Sequence, residues 1–370
     1  MRVCFLSGNI YPLLSGRAWK DLPIVGGAEI QQLLIAQGLA RRGIEVTFIT
    51  EDYGQGSEIE IGGFRVLAYT FGRNKIRQGR TLSRAMGRSG ADVFYIRGVP
   101  RYMALIAWRA RAMRRPLVMG IASDTTVRPR PESGRSFLED MLYRWSLRRV
   151  AAVIAQTTHQ REELWRNYGR SDAVVIRNAA AASPVPPEPH AGRSSVAWIA
   201  TLHPYKGIER LFELALLRPD QIFEVFGGPD RRDEGYYAEM EDRARAIANV
   251  RWRGILPNPE LNGVLARAIA LVHTASFEGF PNVFLEAWRN GTPVLSLTLD
   301  PDELICREGL GFHCATVEEM ATCVDRLRDA TTWNRISASA RSYFEREHGI
   351  ERIADDYVAL LERVVAGEKL

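Results

Sequence analysis

The sequence is poor in cysteine and has no long apolar run. Its four cysteines, Cys4, Cys306, Cys314 and Cys323, include no C-x-x-C pair, which argues against a disulfide framework and against a zinc site. No stretch of ~18 apolar residues is present that could span a bilayer. The chain begins with one basic residue and an apolar run too short for a signal peptide. We therefore expect reduced thiols and a cytoplasmic protein.

Acidic residues are scarce in one part of the chain. Residues 73–149 contain 18 Lys plus Arg against 5 Asp plus Glu, a local charge of +13 in a chain whose net charge is +5. The rest of the chain is therefore net acidic. With 370 residues, 46% of them hydrophobic and 25% charged, the composition is that of a globular protein, and the length predicts two domains.

Strand and helix patterns alternate through most of the chain, which predicts parallel sheets covered by helices. The first such domain spans 1–178, with a hairpin at 58–67 where alternating residues surround two glycines. Residues 179–194 are rich in Ala and then Pro, and predict a linker. A second α/β domain follows over 195–349. The last segment, 350–370, is an amphipathic helix.

The stretch from Leu271 to Pro293 predicts a buried strand, a loop and a helix. Pro281 suits a first helical position and Gly291 suits the helix end. A helix that begins at the carboxyl end of a parallel strand presents backbone N–H groups and its positive dipole to a phosphate. Glu278 and Glu286 flank this site, roughly 7 Å apart along the axis. Because carboxylates are repelled by phosphate, we expect each to accept hydrogen bonds from neutral hydroxyls, as in a nucleotide sugar.

The run Glu278-Gly279-Phe280-Pro281-Asn282-Val283-Phe284-Leu285-Glu286 resembles the E-x7-E signature of family 4 retaining glycosyltransferases. The resemblance implies the α/β fold called GT-B, in which two Rossmann-like doubly wound domains, acceptor-side and donor-side, face a central cleft. It also implies that the last helix crosses back to the first domain. Residues placed at the donor are Gly26, Gly27, Thr201, Lys206, Glu278, Gly279, Phe280, Pro281, Asn282, Val283 and Glu286, of which Glu278 and Lys206 would be catalytic.

Lys206 follows a predicted strand and precedes a glycine at a helix start, so it is expected to reach the same crevice as Glu278. Members of the family pair such a lysine with an arginine, and the two cations stabilise the departing nucleoside diphosphate. Thr201 occupies the position of that arginine here. The missing cation would cost roughly 10²- to 10³-fold in rate unless helix amides, Thr201 or another arginine substitutes.

The acceptor side is less defined by the sequence. Family members carry a histidine near the acceptor, whereas His159, the one histidine of residues 1–178, falls on a predicted helix and does not match it. Asp124 ends a predicted strand and loop that face the crevice, so we assign it an acceptor-positioning role, with local helix capping as the alternative.

These features predict a retaining, metal-independent glycosyltransferase that needs no cofactor beyond its nucleotide-sugar substrate. The acceptor would be a glycan or lipid-linked hydroxyl in cell-surface or exopolysaccharide synthesis. A non-catalytic GT-B scaffold and a nucleotide-sugar epimerase are the alternatives. The basic residues 73–149 carry no nucleic-acid-binding motif, so we predict peripheral contact with anionic lipid on the inner face of the membrane, or else a solvated basic face.

Overall fold

The computed structural model describes residues 1–17, 26–70, 72, 74–184, 186–230, 233–256 and 258–368. The chain forms two compact units. The first unit is Met1–Ala179 together with Ile350–Leu370, and the second is Ala180–Gly349. No helix in these described ranges is long and apolar enough to cross a membrane.

Strands and helices alternate through the first unit. Its strands are β1 (Arg2–Leu6), β2 (Glu45–Glu51), β3 (Glu58–Ile61), β4 (Phe64–Tyr69), β5 (Val93–Arg97), β6 (Leu117–Gly120), β7 (Ala152–Ala155) and β8 (Val174–Val175). Its helices before residue 180 are α1 (Tyr11–Leu14), α2 (Gly27–Ala40), α3 (Lys75–Ser89), α4 (Met103–Ala112), α5 (Asp124–Val127), α6 (Phe137–Leu147) and α7 (Thr158–Tyr168).

The eight strands form one sheet in the order β3-β4-β2-β1-β5-β6-β7-β8. All neighbours are parallel except β3 and β4, so the predicted hairpin is confirmed at the sheet edge. Successive residues of a strand point to opposite faces. On β1, Val3 and Phe5 accordingly enter one core layer, and Cys4 and Leu6 enter the other.

The second unit repeats this alternation with a smaller sheet. Its strands are β9 (Ser195–Ile199), β10 (Ile222–Phe226), β11 (Val250–Gly254), β12 (Ala268–His273), β13 (Val294–Ser296) and β14 (Gly311–His313). Its helices are α8 (Ile208–Leu217), α9 (Glu234–Arg245), α10 (Asn258–Arg267), α11 (Asn282–Arg289), α12 (Leu304–Glu308), α13 (Val317–Arg326) and α14 (Ala330–Glu347), with 3-10 turns at His190–Gly192, Pro204–Lys206 and Pro301–Glu303.

The order of this second sheet is β11-β10-β9-β12-β13-β14, with parallel neighbours throughout. The chain winds outward from β9 in one direction and then crosses to β12 and winds outward in the other. The point between β9 and β12 is therefore the topological switch point, where ligands bind in open α/β sheets at the carboxyl ends of the strands. The predicted class of two parallel-sheet α/β domains is confirmed.

The last helix, α15 (Ile350–Val365), packs on α2 within the first unit. The two helices approach so closely that a Cβ added at Gly38 would lie 2.6 Å from the Ala354 side chain. Arg42 joins them at the surface, because its side chain contacts the carboxylates of Glu351 and Asp355 at 2.9 and 2.5 Å. A larger residue at position 38 would separate the helices.

Residues 180–184 and 186–194 belong to the second unit. The first of these residues, Ala180, forms a parallel backbone bridge with Gly349, at the other end of that unit. Near the last of them, the buried Arg193 side chain donates to the Leu265 and Ala268 carbonyls and to the Thr292 hydroxyl at 2.8 to 3.0 Å. The charge is thus accommodated by neutral oxygens, and burial lowers the pKa of Arg193 to about 10.

Candidate donor site in the second unit

Two loops leave the carboxyl ends of β9 and β12 and are bound to each other. The Thr274 hydroxyl donates to the Lys206 carbonyl at 2.7 Å and accepts from the Trp198 indole at 2.9 Å. The Ser276 N–H donates to the Tyr205 carbonyl at 2.9 Å. Each contact crosses the switch point, so the loop that carries Lys206 is fixed against the loop that carries Glu278.

Gly207 makes this close approach possible. Its φ is +65°, and an added Cβ would lie 2.7 Å from the Thr274 carbonyl oxygen. A side chain would therefore meet both a left-handed backbone conformation and a backbone clash. The glycine holds Lys206 at the mouth of the sheet immediately before α8 begins.

Lys206 and Glu278 form an ion pair at the switch point. The Lys206 ammonium donates to the Glu278 carboxylate, and the two side chains are 14% and 23% exposed. Burial alone would raise the pKa of Glu278, but the His273 ring and the Lys206 charge outweigh it and lower that pKa to about 2. Glu278 is therefore a fixed anion at any physiological pH.

His273 is the buried neighbour of this pair. Its Nε2 lies 3.6 Å from the Glu278 Oε1, and neither ring nitrogen has a hydrogen-bond partner within the described ranges. The ring packs edge-on against Phe284 at 4.8 Å between centroids. Burial lowers the pKa of His273, against the opposing effect of Glu278. The sequence analysis treated His273 only as part of a strand. The sequence signal that could have singled out His273 is its position as a polar residue at the end of a continuous apolar run.

The helix α11 begins at Asn282, with Pro281 as its N-cap and no side chain capping it. The prediction of Pro281 as the first helical residue is therefore wrong by one position, because its ψ of 111° is extended. The start of α11 follows the Glu278 loop directly, so an anion beside Lys206 would meet the positive end of this helix. Phe280 is buried against Trp288, so its ring belongs to the core.

Glu286 lies on the second turn of α11 in an environment unlike that of Glu278. Among the residues that the structure describes, no hydrogen bond to its carboxylate is found. Burial raises the pKa of Glu286 to about 7, and only the charge of Arg289 opposes this effect. Some of its surface remains accessible. Glu286 can therefore change its protonation state near neutral pH.

Thr201 is exposed in the loop after β9. Its side chain is neutral, so Lys206 is the one basic side chain of the segment 200–207 apart from His203. His203 serves its own loop, since its Nδ1 accepts the Tyr205 N–H at 3.4 Å. The second cation expected of such a site is therefore not supplied by this loop.

In the first unit, Gly26 is the N-cap of α2 and Gly27 its first residue. The Gly26 N–H donates to the Glu29 carboxylate at 3.1 Å, which is one half of a capping box; glycine has no side chain to supply the other half. Asp124 begins α5, where Ser123 is the cap, and its carboxylate accepts from the Gln160 amide at 2.9 Å. Asp124 thus joins α5 to α7, and the capping role predicted as its alternative belongs to Ser123.

A cavity of about 270 Å³ lies at the carboxyl ends of β1, β2 and β5, the switch point of the first unit. Sequence reasoning missed it because its residues come from six separate segments. Glu51 accepts from the Tyr69 hydroxyl at 3.2 Å, and the Arg97 guanidinium donates to Asn178 at 2.6 Å. Its charged and polar lining comprises Asn9, Glu29, Gln32, Glu51, Arg97 and Arg101.

Comparison with known families decides the identity of the fold. Residues 26–179 match the family model of a glycosyl transferase 4-like domain, and residues 193–329 match that of glycosyl transferases group 1. The chain belongs to the group 1 glycosyltransferase family. The predicted membership among family 4-like glycosyltransferases is thereby confirmed, and the two matches fall on the two units described above.

Solved structures agree with this group 1 glycosyltransferase assignment. Sucrose-phosphate synthase from Thermosynechococcus elongatus superposes with a TM-score of 0.81 at 17% identity over 100% of both chains. HepE of Anabaena, solved with UDP and glucose, superposes with a TM-score of 0.76 at 18% identity over 98% of this chain and 99% of that one. At these identities the likeness establishes the GT-B fold.

One curated relative also matches this glycosyltransferase. Glycosyltransferase 1 domain-containing protein 1 of Xenopus tropicalis is 28% identical over 131 residues, which is 35% of this chain. The match spans 38% of the length of that relative.

A second cluster in the glycosyltransferase lies beyond β13. The ligand atoms of Asp300, Cys306 and His313 lie within 4.8 Å of one another, although the spacing of the cysteines in the sequence argued against a zinc site. Asp300-Pro301-Asp302 is also a D-x-D sequence, which the prediction of a metal-free site did not take into account. The Asp300 carboxylate accepts the Ile305 and Cys306 N–H groups at 2.7 and 3.2 Å, so it already serves to start α12.

Proposed function

We propose that this group 1 glycosyltransferase moves a sugar, with retention of configuration and without a metal, from a nucleoside diphosphate sugar to a hydroxyl of a glycan or lipid-linked acceptor. The observation that carries the proposal is the partly buried Lys206–Glu278 pair at the switch point of the second unit, beside the start of α11, which no side chain of the described residues caps. A single arrangement there offers a cation, backbone N–H groups and a fixed carboxylate.

The donor would lie along this site in a fixed order. Its diphosphate meets the Lys206 ammonium and the N-terminus of α11, where cation and helix dipole both favour negative charge. Glu278 accepts hydrogen bonds from hydroxyls of the sugar, and Glu286 from the ribose. HepE, with UDP and glucose bound, makes a UDP-sugar the first donor to test.

The reaction exchanges one bond at the anomeric carbon for another. The bond from that carbon to the diphosphate oxygen breaks as a bond to the acceptor oxygen forms on the same face. The acceptor proton passes to the departing phosphate, so the protein need not supply a base. Lys206 and the α11 amides stabilise the charge that develops on the leaving group. Removal of one such donor typically lowers the rate by about 10²- to 10³-fold.

Two observations favour a second candidate, a nucleotide-sugar-binding scaffold without turnover. Thr201 supplies no charge where the family has an arginine, and His159 is an exposed residue of α7. A nucleotide-sugar epimerase of similar fold is a third reading of the same donor site. We favour transfer because the Lys206 ammonium and the Glu278 carboxylate lie together at the switch point, where a leaving diphosphate and a sugar would meet them.

The acceptor would be met by the first unit, with Asp124 and the cavity near Glu29 and Glu51 as the polar groups that face it. We place the enzyme in the cytoplasm, at the inner face of the membrane, in the synthesis of cell-surface or exopolysaccharide. The charge of +13 carried by residues 73–149 supports attraction to an anionic surface.

A panel of nucleotide sugars tests the function directly. Thermal shift identifies the donor, because a ligand stabilises the fold by RT ln(1 + [L]/Kd). The selected donor is then incubated with the protein, with and without glycan acceptors, and the products are followed by NMR. We expect slow release of free sugar without acceptor, and a product of retained anomeric configuration with it.

The alternatives give different products in the same experiment. Donor binding with no sugar release over hours identifies a scaffold, and an interconverted nucleotide sugar identifies an epimerase. A chelator should leave the rate unchanged; a rate that falls with chelator and recovers with a divalent cation would contradict the metal-free part of the proposal.

A further inference from the structure

An open groove of about 510 Å³ runs between α3 and α4 on the first unit. The positions that face it recur at helical spacing on both helices. On α3 they include Ile76, Arg80 and Arg84, and on α4 they include Trp108 and Arg109. The groove is separate from the cavity at the carboxyl ends of β1, β2 and β5, because the two have no lining residue in common.

The lining of the groove carries positive charge that no acidic lining residue neutralises. Four of its lining side chains are cationic and none is acidic. Between 72 and 123 the sequence contains a single acidic residue, Asp92, which already pairs with Arg2 and Arg115. Within the described part of the chain, the four cations of the groove, Lys75, Arg80, Arg84 and Arg109, form no ion pair. Their charge is therefore available to an external anion.

Large apolar side chains line the groove beside the four cations. Ile76 is 70% exposed and Trp108 is 54% exposed, although burying either would remove substantial apolar surface from water. The Arg109 Nε is at the same time buried and has no hydrogen-bond partner among the described residues. Apolar groups and unsatisfied cations thus share one surface, which is the composition of an interface with lipid headgroups.

The neighbouring helix α6 extends the apolar part of this surface. It packs against α4 and exposes four large side chains along its first turns: Phe137, Leu138, Met141 and Leu142. Exposed apolar groups of this size rarely cluster on a monomer without a partner. The helix next to the groove therefore adds further exposed apolar side chains to this part of the first unit.

We infer that the α3–α4 groove docks the protein onto an anionic lipid bilayer, with Trp108 and Ile76 entering the headgroup region and the four cations holding lipid phosphates. The inference rests on the proposed function only for its purpose, delivery of the enzyme to a membrane-bound acceptor. A nucleic acid fits less well, because no stacked aromatic series accompanies the cations and two apolar side chains would stay in water.

Vesicle cosedimentation of the full chain tests the surface without any transfer assay. Vesicles of phosphatidylcholine alone are compared with vesicles that also contain phosphatidylglycerol, at low and at physiological salt. The wild-type protein should bind the anionic vesicles and release them as salt rises, because attraction decays within a Debye length of about 8 Å. The double variant Arg80→Gln, Arg84→Gln should lower partitioning on the order of 25-fold, about fivefold for each cation. Trp108→Ala should lower it by about tenfold.

Matched controls come from the second unit. The double variant Arg267→Gln, Arg335→Gln removes the same charge from two exposed arginines that form no ion pair with any residue in the described part of the chain. Leu216→Ala truncates a side chain that is 68% exposed, and is compared with Ile76→Ala at 70%. Both controls should bind vesicles as the wild type does. Groove variants and controls that bind equally, or a protein that binds nucleic acid and ignores anionic vesicles, would overturn the inference. Failure of sugar transfer would leave this readout untouched.

Discussion

Glu278 and Glu286 are the same residue type, eight positions apart, in two opposite environments. Glu278 lies in the loop between β12 and α11, with the Lys206 ammonium and the His273 ring beside its carboxylate. Its pKa is lowered to about 2. Glu286 sits on a helix with only Arg289 to oppose the effect of burial, and its pKa is raised to about 7. One motif therefore holds a permanent anion and a carboxyl group that is half protonated near neutrality.

The difference indicates separate tasks for the two carboxylates. A fixed anion beside a cation positions a substrate, but it also competes with the diphosphate for Lys206. A carboxyl group without a hydrogen-bond partner is ready to accept bonds from vicinal hydroxyls and becomes fully charged when they arrive. The following changes test this division, beginning with the largest effect that we expect.

Glu278→Gln should lower turnover by about 10²- to 10³-fold, because it removes the charge that orients the sugar. The nucleotide part of the donor does not meet Glu278 in our account, so affinity for UDP should not fall. Steady-state kinetics with the selected donor separate kcat from KM. A loss confined to KM would place Glu278 at the nucleotide instead.

Lys206→Ala should weaken binding of the nucleoside diphosphate by about 1.5 to 3 kcal/mol, the range for hydrogen bonds to charged groups. Calorimetric titration with UDP measures this change. Arg210→Ala is the matched control, since it removes one charge from an exposed side chain on α8, the helix that follows Lys206, where Arg210 pairs with Glu213. Equal affinities for both variants would return Lys206 to a structural role with Glu278.

Glu286→Gln should weaken donor affinity by about 1 to 2 kcal/mol through the ribose hydroxyls, because a neutral amide accepts weaker hydrogen bonds than a carboxylate. Affinity for a 2′,3′-dideoxyribose analogue should be the same in both proteins. If the variant lost affinity for the analogue as well, the carboxylate would act on something other than the ribose.

Glu286 should also destabilise the fold as pH rises. Its folded pKa, about 7, exceeds the ordinary value of 4.5, so the folded state holds the extra proton between those values. Stability is therefore complete below pH 4.5 and falls until about pH 7, by about 1 to 3 kcal/mol after allowance for the exposed part of the side chain. The free energy of unfolding is measured across pH for the wild type and for Glu286→Gln, and the difference between the two profiles gives the contribution of Glu286. The subtraction removes the contribution of His273, whose lowered pKa makes stability rise with pH instead. An unchanged profile in the variant would show that Glu286 ionises normally.

The sequence predicted most of the fold, because strands buried on both faces read as apolar runs and helices follow each of them. The hairpin at 58–67 and the last helix over Ile350–Val365 were also readable, from alternation around two glycines and from amphipathicity. Helix starts were less accurate. The choice between Pro281 and Asn282 as first residue depends on one ψ angle, which composition does not reveal.

The candidate site was predicted in part. Lys206 and Glu278 were assigned to one crevice because both follow parallel strands, and the structure brings them into contact. The sequence could not show that His273 would approach the same carboxylate, because that depends on which strand-end residue turns inward. It also gave no means of knowing that Ile76 and Trp108 stay exposed, since their apolar character predicts burial.

The affinity of UDP for Glu278→Gln, measured by calorimetric titration beside the wild type, tests the account most directly. In the free protein the Glu278 carboxylate occupies Lys206, so a diphosphate must displace it. The substitution frees the lysine and removes a negative charge from the site. The account predicts equal or severalfold tighter binding of UDP together with lost turnover. Binding weakened tenfold or more would contradict it, because Glu278 would then hold the nucleotide itself.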